Sequence, residues 1–187
     1  PSKCSVCRAL YFKRSMTHKV CGSVECAITH GERIKEKARK KKEKADLANL
    51  KVRKEAIKTV QELKAEAQVA FNAFIRQRDI GQNCICCNKP FEPNKIGGSI
   101  DAGHYLGRGM APHLRFEENN CHAQRKNCNR PGGTTRAAFR AGMEARIGLE
   151  ALEALESNQT IVKWNADMLR GIRDKYRAKL KELKGKE

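Results

Sequence analysis

The chain has 187 residues, of which 40% are hydrophobic and only 5% are aromatic, and its formal net charge is +18. Such a composition is too lean for one large core, so we expect a modest globular part with elongated helices. The charge favours a polyanionic partner, above all nucleic acid, with an anionic membrane surface as the alternative. A membrane-spanning protein is excluded by the lack of any run of about 18 apolar residues. No apolar signal-peptide core appears at the start of the sequence either.

The nine cysteines fall into two groups. In a chain without an export signal, we expect reduced thiols and metal binding rather than disulfides. The first group has the pattern C-x2-C, thirteen residues, C-x4-C, which suits one tetrahedral zinc ion held by Cys4, Cys7, Cys21 and Cys26. A module this small depends on the metal for its folding free energy. We therefore predict a Cys4 zinc module over residues 1–30, which either grips DNA or only caps the N-terminus.

Residues 31–78 are predicted to form one long basic helix. Ala, Lys and Glu predominate over residues 31–58, and no proline interrupts them. Lys and Arg outnumber the acidic residues there, and the run Lys40, Lys41 and Lys42 is the clearest candidate for phosphate contacts. Apolar residues then recur every three or four positions from Ile57 to Phe74. That spacing predicts an amphipathic face that packs on the next domain or on a partner chain.

Residues 79–133 are rich in Gly, Pro, Asn and Cys, which favours short strands and turns. We predict a strand over 99–105, a loop over 106–112, a second strand over 113–116 and a helix that begins at 117–120, where acidic residues suit a helix N-terminus. This ββα unit places His104 at the end of its first strand, facing the start of the helix. The expected fold class is α+β, mostly α, with a small ββα-metal core, long basic helices and the zinc module.

Residues 134–187 are predicted to be helices that pack on this core. Phe139, Met143 and Ile147 form one apolar stripe, and the sequence LEALEALES (149–157) forms a second short helix. A longer stripe runs from Ile161 to Leu183, and Asn158 or Thr160 is the expected cap of that last helix. Its apolar stripe serves the core or a dimer seam, and its basic face is available to DNA.

The segment 100–129 gathers the side chains that phosphodiester hydrolysis needs. A neutral imidazole is a suitable general base, which points to His104. A divalent cation stabilises charge on the phosphate. The candidates to hold or orient that cation are Asp101, Asn120, His122 and Asn129. Strand alternation predicts that Asp101 lies on the face opposite His104. The candidate phosphate ligands in this segment are Arg108, Arg115 and Arg125.

Four motifs in this segment, DAGHY (101–105), PHLRF (112–116), NNCHAQ (119–124) and CN (128–129), resemble those of the HNH, or His-Me finger, endonucleases. The chain more closely resembles the phage NinG/Rap recombination protein family. The segments NAFIRQRD (72–79) and ESN (156–158), the basic linker and the C-x-x-C pair are also similar. The resemblance therefore covers most of the chain.

The resemblance implies a metal-dependent endonuclease that is selective for branched DNA, such as D-loops and Holliday-type junctions. It also implies Mg²⁺ or Mn²⁺ as the cofactor and the cytoplasm of a bacterial host as the location. By the same resemblance His104 is the general base. Asn120 is the central Asn, which either ligates the metal or holds the finger loop, and Asn129 stands where many HNH enzymes have their last His. A homodimer would match the two-fold symmetry of a junction.

The chain departs from the family pattern at two places. Cys84, Cys87 and Cys128 would hold a second zinc, but Arg125 stands where the family has a fourth Cys. If residues 121–128 are helical, Cys121 and Cys128 lie about 10 Å apart, too far to share one zinc. Either the helix breaks, an external ligand completes the site, or this zinc is absent. Many HNH enzymes also place a metal-ligating residue directly before the base, where this chain has Gly103.

Two other classes of function remain open on the sequence alone. The first is a zinc-containing DNA-binding accessory protein in recombination, in which the ββα unit is only a scaffold. The second is an RNA-binding protein or RNase, which is less favoured because the few aromatic residues offer few stacking platforms for single strands. Cutting that depends on a divalent metal separates the nuclease from the scaffold.

Overall fold

The computed structural model of the protein describes residues 1–92 and 99–185. Residues 93–98, inside the predicted nuclease segment, and residues 186–187 lie outside the described part. The chain divides into two compact units, the N-terminal unit Pro1–Lys58 and the C-terminal unit Thr59–Glu187. The fold is mostly helical with two small antiparallel sheets, in agreement with the expected α+β class. None of the described helices is long and apolar enough to cross a bilayer.

The N-terminal unit is a small hairpin followed by a long helix. Strand β1 (Ser2–Lys3) pairs antiparallel with β2 (Leu10–Tyr11), and helix α1 spans Val24–Ala56. The core of this unit is formed by Cys4, Val20 and Cys26. Cys26 is the buried residue of α1, in its first turn, so almost the whole length of the helix faces solvent.

The predicted continuous helix over 31–78 is wrong, because the chain forms two helices there. Helix α1 ends at Ala56, and α2 spans Val60–Arg78. Thr59 caps α2: its Oγ1 accepts the N–H of Glu62 at 3.2 Å, and Glu62 Oε2 accepts the N–H of Thr59 at 2.8 Å. This reciprocal pair satisfies N–H groups that a continuous helix would bond internally, so a new helix begins here. The exposed basic helix and the apolar helix therefore belong to different units.

The amphipathic face predicted for α2 packs inside the C-terminal unit, along helix α5 (Ala166–Lys184). Leu63, Phe71 and Ile75 are fully buried in this core, where the Phe71 ring contacts Tyr176 edge-on. Helix α5 begins later than expected. Asn165 caps it by accepting the N–H of Met168 at 2.9 Å, so neither Asn158 nor Thr160 is the cap.

A two-stranded ribbon carries His104, the predicted general base, and Asn120 directly precedes its second strand. Strand β3 (Ile100–His104) pairs antiparallel with β4 (Cys121–Arg125), and His104 lies opposite Cys121. The predicted second strand over 113–116 and the helix from 117 are wrong. Two 3₁₀ turns, Pro112–Leu114 and Glu118–Asn120, occupy that stretch. Residues 121–125 form a strand because they pair with β3, although residues 117–120 carry a local helix-start signal.

Two further helices close the unit behind the ribbon. Helix α3 spans Arg136–Ile147 and α4 spans Leu149–Ser157, as the apolar stripes predict. They form a second core that takes in Tyr105, the residue after His104, against Phe139. Helix α3 approaches residue 85 so closely that a Cβ at Gly142 would lie 1.7 Å from the carbonyl oxygen of Ile85. Helix α3 is the first α-helix after the ribbon, and it begins well beyond the position predicted for the helix of the ββα unit.

Candidate functional site

An open cleft of about 740 Å³ lies between β3, the loop that follows it and α2. Five residues that the sequence singled out line this cleft: Asp101, His104, Arg108, Arg115 and Asn129. They include a candidate base, oxygen donors for a cation and two guanidinium groups. The cleft therefore combines the functional groups expected for chemistry on a phosphodiester.

His104 ends β3 with its ring half-buried against Phe71. Its Nε2 lies 2.9 Å from the carbonyl oxygen of Arg115, which can only accept a hydrogen bond. Nε2 therefore carries the proton, and Nδ1 keeps the lone pair that a general base needs. Nδ1 lies 3.7 Å from Cys121 Sγ, a long contact with a thiol. Burial raises the pKa of that thiol, so Cys121 stays uncharged beside the imidazole.

The surroundings of His104 favour its neutral form. Burial lowers the pKa of His104, and the positive charges of Arg108 and Arg115 lower it further, while the hydrogen bond to the Arg115 carbonyl opposes them. A histidine with a lowered pKa is unprotonated at neutral pH. His104 is thus in the state in which it can accept a proton.

Asn120 is fully buried, and its side chain holds the loop that carries Arg108. Its Oδ1 accepts the N–H of Leu106 at 2.8 Å, and its Nδ2 donates to the carbonyl oxygens of Leu106 and Leu114 at 3.0 and 3.1 Å. These bonds span the two ends of the loop between β3 and the first 3₁₀ turn. Of the two roles considered for Asn120, the geometry supports holding the loop and not ligating a metal.

Asp101 and Asn129 come together at the cleft, where Asn129 Nδ2 donates to Asp101 Oδ2 at 3.2 Å. Asp101 and His104 both line the cleft, although strand alternation predicts opposite faces of β3 for them. One carboxylate and one amide oxygen suit Mg²⁺, which keeps several waters and binds substrate phosphate.

His122 does not reach the cleft, and it is not available to a metal. Its Nε2 lies 3.1 Å from the carbonyl oxygen of Asn119, and its Nδ1 accepts a hydrogen bond from Arg78 Nη2 at 3.1 Å. Burial and the charge of Arg78 lower the pKa of His122 to about 4. The buried Asp79 accepts from Arg78 and from the N–H of Ala123, so this network fixes the end of α2 to β4.

A polar stripe on α2 forms the other wall of the cleft and was missed from the sequence. Asn72 and Arg76 line the cleft, and Gln68 lies one turn before them. Gln68 Nε2 donates to Asn72 Oδ1 at 2.8 Å, and Gln68 Oε1 accepts from Arg115 Nη1 at 3.0 Å. The sequence signal is a polar residue at every fourth position within an otherwise apolar helical face. Arg76 thereby joins Arg108 and Arg115 as a third guanidinium at the cleft.

The remaining predicted DNA contacts lie elsewhere. Arg125 does not line the cleft; its Nη2 donates to Glu92 Oε1 at 2.5 Å, and its main-chain N–H donates to Cys84 Sγ at 3.3 Å. Lys40, Lys41 and Lys42 are exposed on α1, and Lys40 pairs with Glu36 at 3.3 Å. They form part of a basic surface of the N-terminal unit.

The four N-terminal cysteines converge as predicted. The sulfur atoms of Cys4, Cys7, Cys21 and Cys26 all lie within 4.8 Å of one another, which suits a tetrahedral zinc. Burial opposes ionisation of Cys4, but main-chain N–H groups of Cys21 and Val6 donate to its sulfur and hold its pKa at about 6. The sequence, the burial and the N–H···S bonds all fit a closed structural metal site.

The second cysteine group has three members. Cys84, Cys87 and Cys128 have sulfur atoms within 4.8 Å of one another. The helix assumed for residues 121–128 is absent, because 121–125 is strand β4, yet Cys121 still does not join this group and lies beside His104 instead. A hydrogen bond from the Cys86 thiol lowers the pKa of Cys84 to about 4, against the effect of burial. These thiols could hold a metal such as zinc.

Comparison with known proteins gives a consistent family assignment. The family model described as Bacteriophage Lambda NinG protein matches residues 1–187. Protein ninG of Escherichia phage 933W is 38% identical over 197 aligned positions, covering 97% of this chain and 93% of that relative. Protein ninG of Escherichia phage lambda is 37% identical over 173 positions, and that of Salmonella phage P22 is 35% identical. No solved structure matches significantly. The chain therefore belongs to the NinG family.

Proposed function

We propose that the protein is a metal-dependent endonuclease that hydrolyses phosphodiesters in branched DNA, with His104 as its general base. The observation that carries this proposal is the state of His104 within its cleft. One ring nitrogen is fixed by the Arg115 carbonyl, and the pKa is lowered. Three arginines and an Asp–Asn oxygen pair surround the same space. The resemblance of the DAGHY and NNCHAQ motifs to HNH enzymes supports the same chemistry.

In the proposed reaction, His104 Nδ1 accepts a proton from a water molecule in the cleft. The water oxygen forms a bond to phosphorus, and the bond from phosphorus to the 3′ oxygen breaks. The products are a 5′-phosphate and a 3′-hydroxyl end, and the departing 3′ oxygen takes its proton from solvent. Arg76, Arg108 and Arg115 hold the phosphate through charge-assisted hydrogen bonds.

Asp101 and Asn129 are the residues that would hold the divalent cation, Mg²⁺ or Mn²⁺. Their donor atoms are hard oxygens, which these ions prefer to thiols or imidazoles. When bound, such an ion stabilises negative charge on the phosphate and on the leaving oxygen. Within the described residues, the two cysteine groups are the only clusters of three or more His, Cys or carboxylate ligands, so water and the substrate complete the coordination.

The net charge of +18 and the exposed basic surface of α1 support DNA as the partner. We propose D-loops and Holliday-type junctions as substrates, a homodimer on the two-fold junction and the bacterial host cytoplasm as the place of action. A monomeric mass in solution, both with and without junction DNA, would contradict the dimer. Binding through phosphates also predicts an affinity that falls steeply with salt.

The test is cleavage of labelled linear duplex, D-loop and four-way junction DNA with Mg²⁺, Mn²⁺ or EDTA. We expect metal-dependent cutting of the branched forms, lost in His104→Ala while DNA binding persists. His113→Ala is the matched control: His113 Nε2 also lies 2.9 Å from a main-chain carbonyl oxygen, that of Asn158, but His113 does not line the cleft. This control should cut like the unmodified chain.

The second candidate function is a DNA-binding accessory protein without catalysis. The three-membered cysteine group favours it, because a family motif that has lost a ligand is compatible with a core used only as a scaffold. Junction binding without cutting in any metal would favour this alternative. Equal cutting by the unmodified chain and by His104→Ala would instead point to a contaminating nuclease.

A further inference from the structure

The second cysteine group differs from the first in the number of its ligands. Cys87 Sγ and Cys128 Sγ lie 3.6 Å apart, and Cys84 completes the group. Zinc in structural sites takes four protein ligands, whereas zinc with three protein ligands keeps a fourth position for water or another ligand. Three sulfur ligands are thus enough to bind a metal ion, but one of the four coordination positions of that ion has no protein ligand.

Two further thiols lie nearby but are not members of the group. The Cys86 thiol donates to Cys84 and its sulfur accepts a hydrogen bond from Gln124 Nε2 at 2.8 Å, and Cys121 lies against His104. No fourth thiol, imidazole or carboxylate of the described residues lies within 4.8 Å of all three sulfurs. The undescribed residues 93–98, with the sequence PNKIGG, contain none of these groups. Among the described residues, no fourth ligand of the usual types is therefore in place around the three sulfurs.

Arg125, which stands where the resembled family has a Cys, lies beside this cluster. Its main-chain N–H donates to Cys84 Sγ at 3.3 Å, so its backbone lies against the cluster, while its guanidinium turns to Glu92. Cys84 is buried and anchors the group, but Cys87 is exposed and Cys128 is partly exposed. Solvent therefore reaches the ligands on one side of the site.

We propose that a metal held by Cys84, Cys87 and Cys128 keeps an exchangeable fourth position, occupied by water in buffer and open to an external thiolate. In the exchange, a thiol releases its proton to solvent, its sulfur bonds to the metal, and the bound water leaves. The N-terminal group with four cysteines is closed to the same ligand. This property is independent of nuclease activity, and its test needs no DNA.

The experiment uses the full chain loaded with Co²⁺, whose visible spectrum reports thiolate coordination, and 2-mercaptoethanol as the external thiol. Native mass spectrometry counts the metals per chain. The unmodified chain should bind two metals, and added thiol should change its spectrum. Arg125→Cys should bind two metals without responding to the thiol, because a fourth sulfur fills the position. Arg125→Ser, which removes the guanidinium but adds no thiol, should respond like the unmodified chain.

Cys128→Ser provides a second measurement that does not depend on how Arg125→Cys folds. It should lose the thiol response and bind fewer metals, while the N-terminal site remains loaded. Two metals per chain with no thiol response in the unmodified protein would overturn the proposal, since the fourth ligand would then be internal. A single metal per chain would overturn it too, since the second site would not form.

Discussion

His104 combines a fixed proton on Nε2 with a lowered pKa, and this combination predicts the pH dependence of the proposed cleavage. A base acts only when it is unprotonated, and the ordinary pKa of histidine is about 6.5. Cleavage should therefore persist below that pH and decline only as the pH falls through the lowered pKa. Arg115→Gln removes one of the charges that lower this pKa, so its acid limb should move to higher pH. Profiles of kcat/KM against pH test both statements, and an acid limb above the ordinary histidine pKa would contradict them.

Asn120→Ala should destabilise the C-terminal unit and loosen the loop that it holds. The change removes three hydrogen bonds and leaves main-chain groups of Leu106 and Leu114 without these partners. Stranded buried polar groups cost about 1–3 kcal/mol each, so we expect a loss of about 3 kcal/mol in the free energy of unfolding. Urea denaturation measures this loss, and hydrogen exchange over residues 106–114 locates it. The exposed neighbour Asn119 supplies the control Asn119→Ala, for which we expect little change.

Arg76 lines the cleft, and no role was assigned to it from the sequence, so it offers a direct test of the α2 wall. Arg76→Gln should weaken cleavage more than binding, and it should reduce the slope of log K against log salt by about 0.9 if one phosphate contact is lost. Arg177→Gln removes the same charge from an exposed position on α5 outside the cleft. If the two substitutions have equal effects on cleavage and binding, Arg76 contributes only through the overall positive charge of the protein.

At the scale of the elements, helix α3 can pack in its observed position because residue 142 is glycine, whereas the packing of α5 does not require a glycine at position 171. A Cβ at Gly142 would meet the carbonyl oxygen of Ile85, which is main chain and cannot move aside easily, whereas Gly171 on α5 has open space around it. We expect Gly142→Ala to destabilise the unit by several kcal/mol, about 2 or more. Gly171→Ala should stabilise it by about 0.5–1 kcal/mol, because alanine favours a helix. Thermal unfolding of the pair measures both signs, and a neutral Gly142→Ala would refute the close approach.

The helices α3 and α4 were predicted well from local sequence signals, because their apolar periodicity coincides with the buried faces. Phe139 and Met143 on α3 are examples. The second strand was misplaced because residues 117–120 carry a local helix-start signal, and only pairing with β3 makes Cys121–Arg125 extended. Cleft residues close together in the sequence, such as Asp101 and His104, could be identified by their chemistry. Asn72 and Arg76 could not, because only the packing of α2 brings them there.

At the scale of the whole molecule, the two units have different sources of stability. The buried core of the N-terminal unit consists of Cys4, Val20 and Cys26, which is too little apolar surface to stabilise the unit unless the four cysteines hold a metal. The C-terminal unit has an aromatic core that includes Phe71, Phe116 and Tyr176. We expect a chelator to abolish hydrogen-exchange protection over residues 1–26 while protection of α2 and α5 largely persists. Simultaneous loss of protection in both units would show that they unfold together.

The close approach of Gly103 to Gln124 bears on how the chain selects one alignment of the ribbon. A Cβ at Gly103 would lie 2.0 Å from Oε1 and 3.1 Å from Cβ of the buried Gln124, so a larger residue there requires Gln124 to move. A shift of β3 by one residue along β4 would bring Ala102 or His104 to that place and would turn every side chain to the opposite face. The contact with Gln124 therefore disfavours the shifted pairing. Gly103, the smallest residue of DAGHY, thus helps to select the observed register of β3 on β4. This register places His104 at the cleft, and it is possible because the residue before His104 has no side chain.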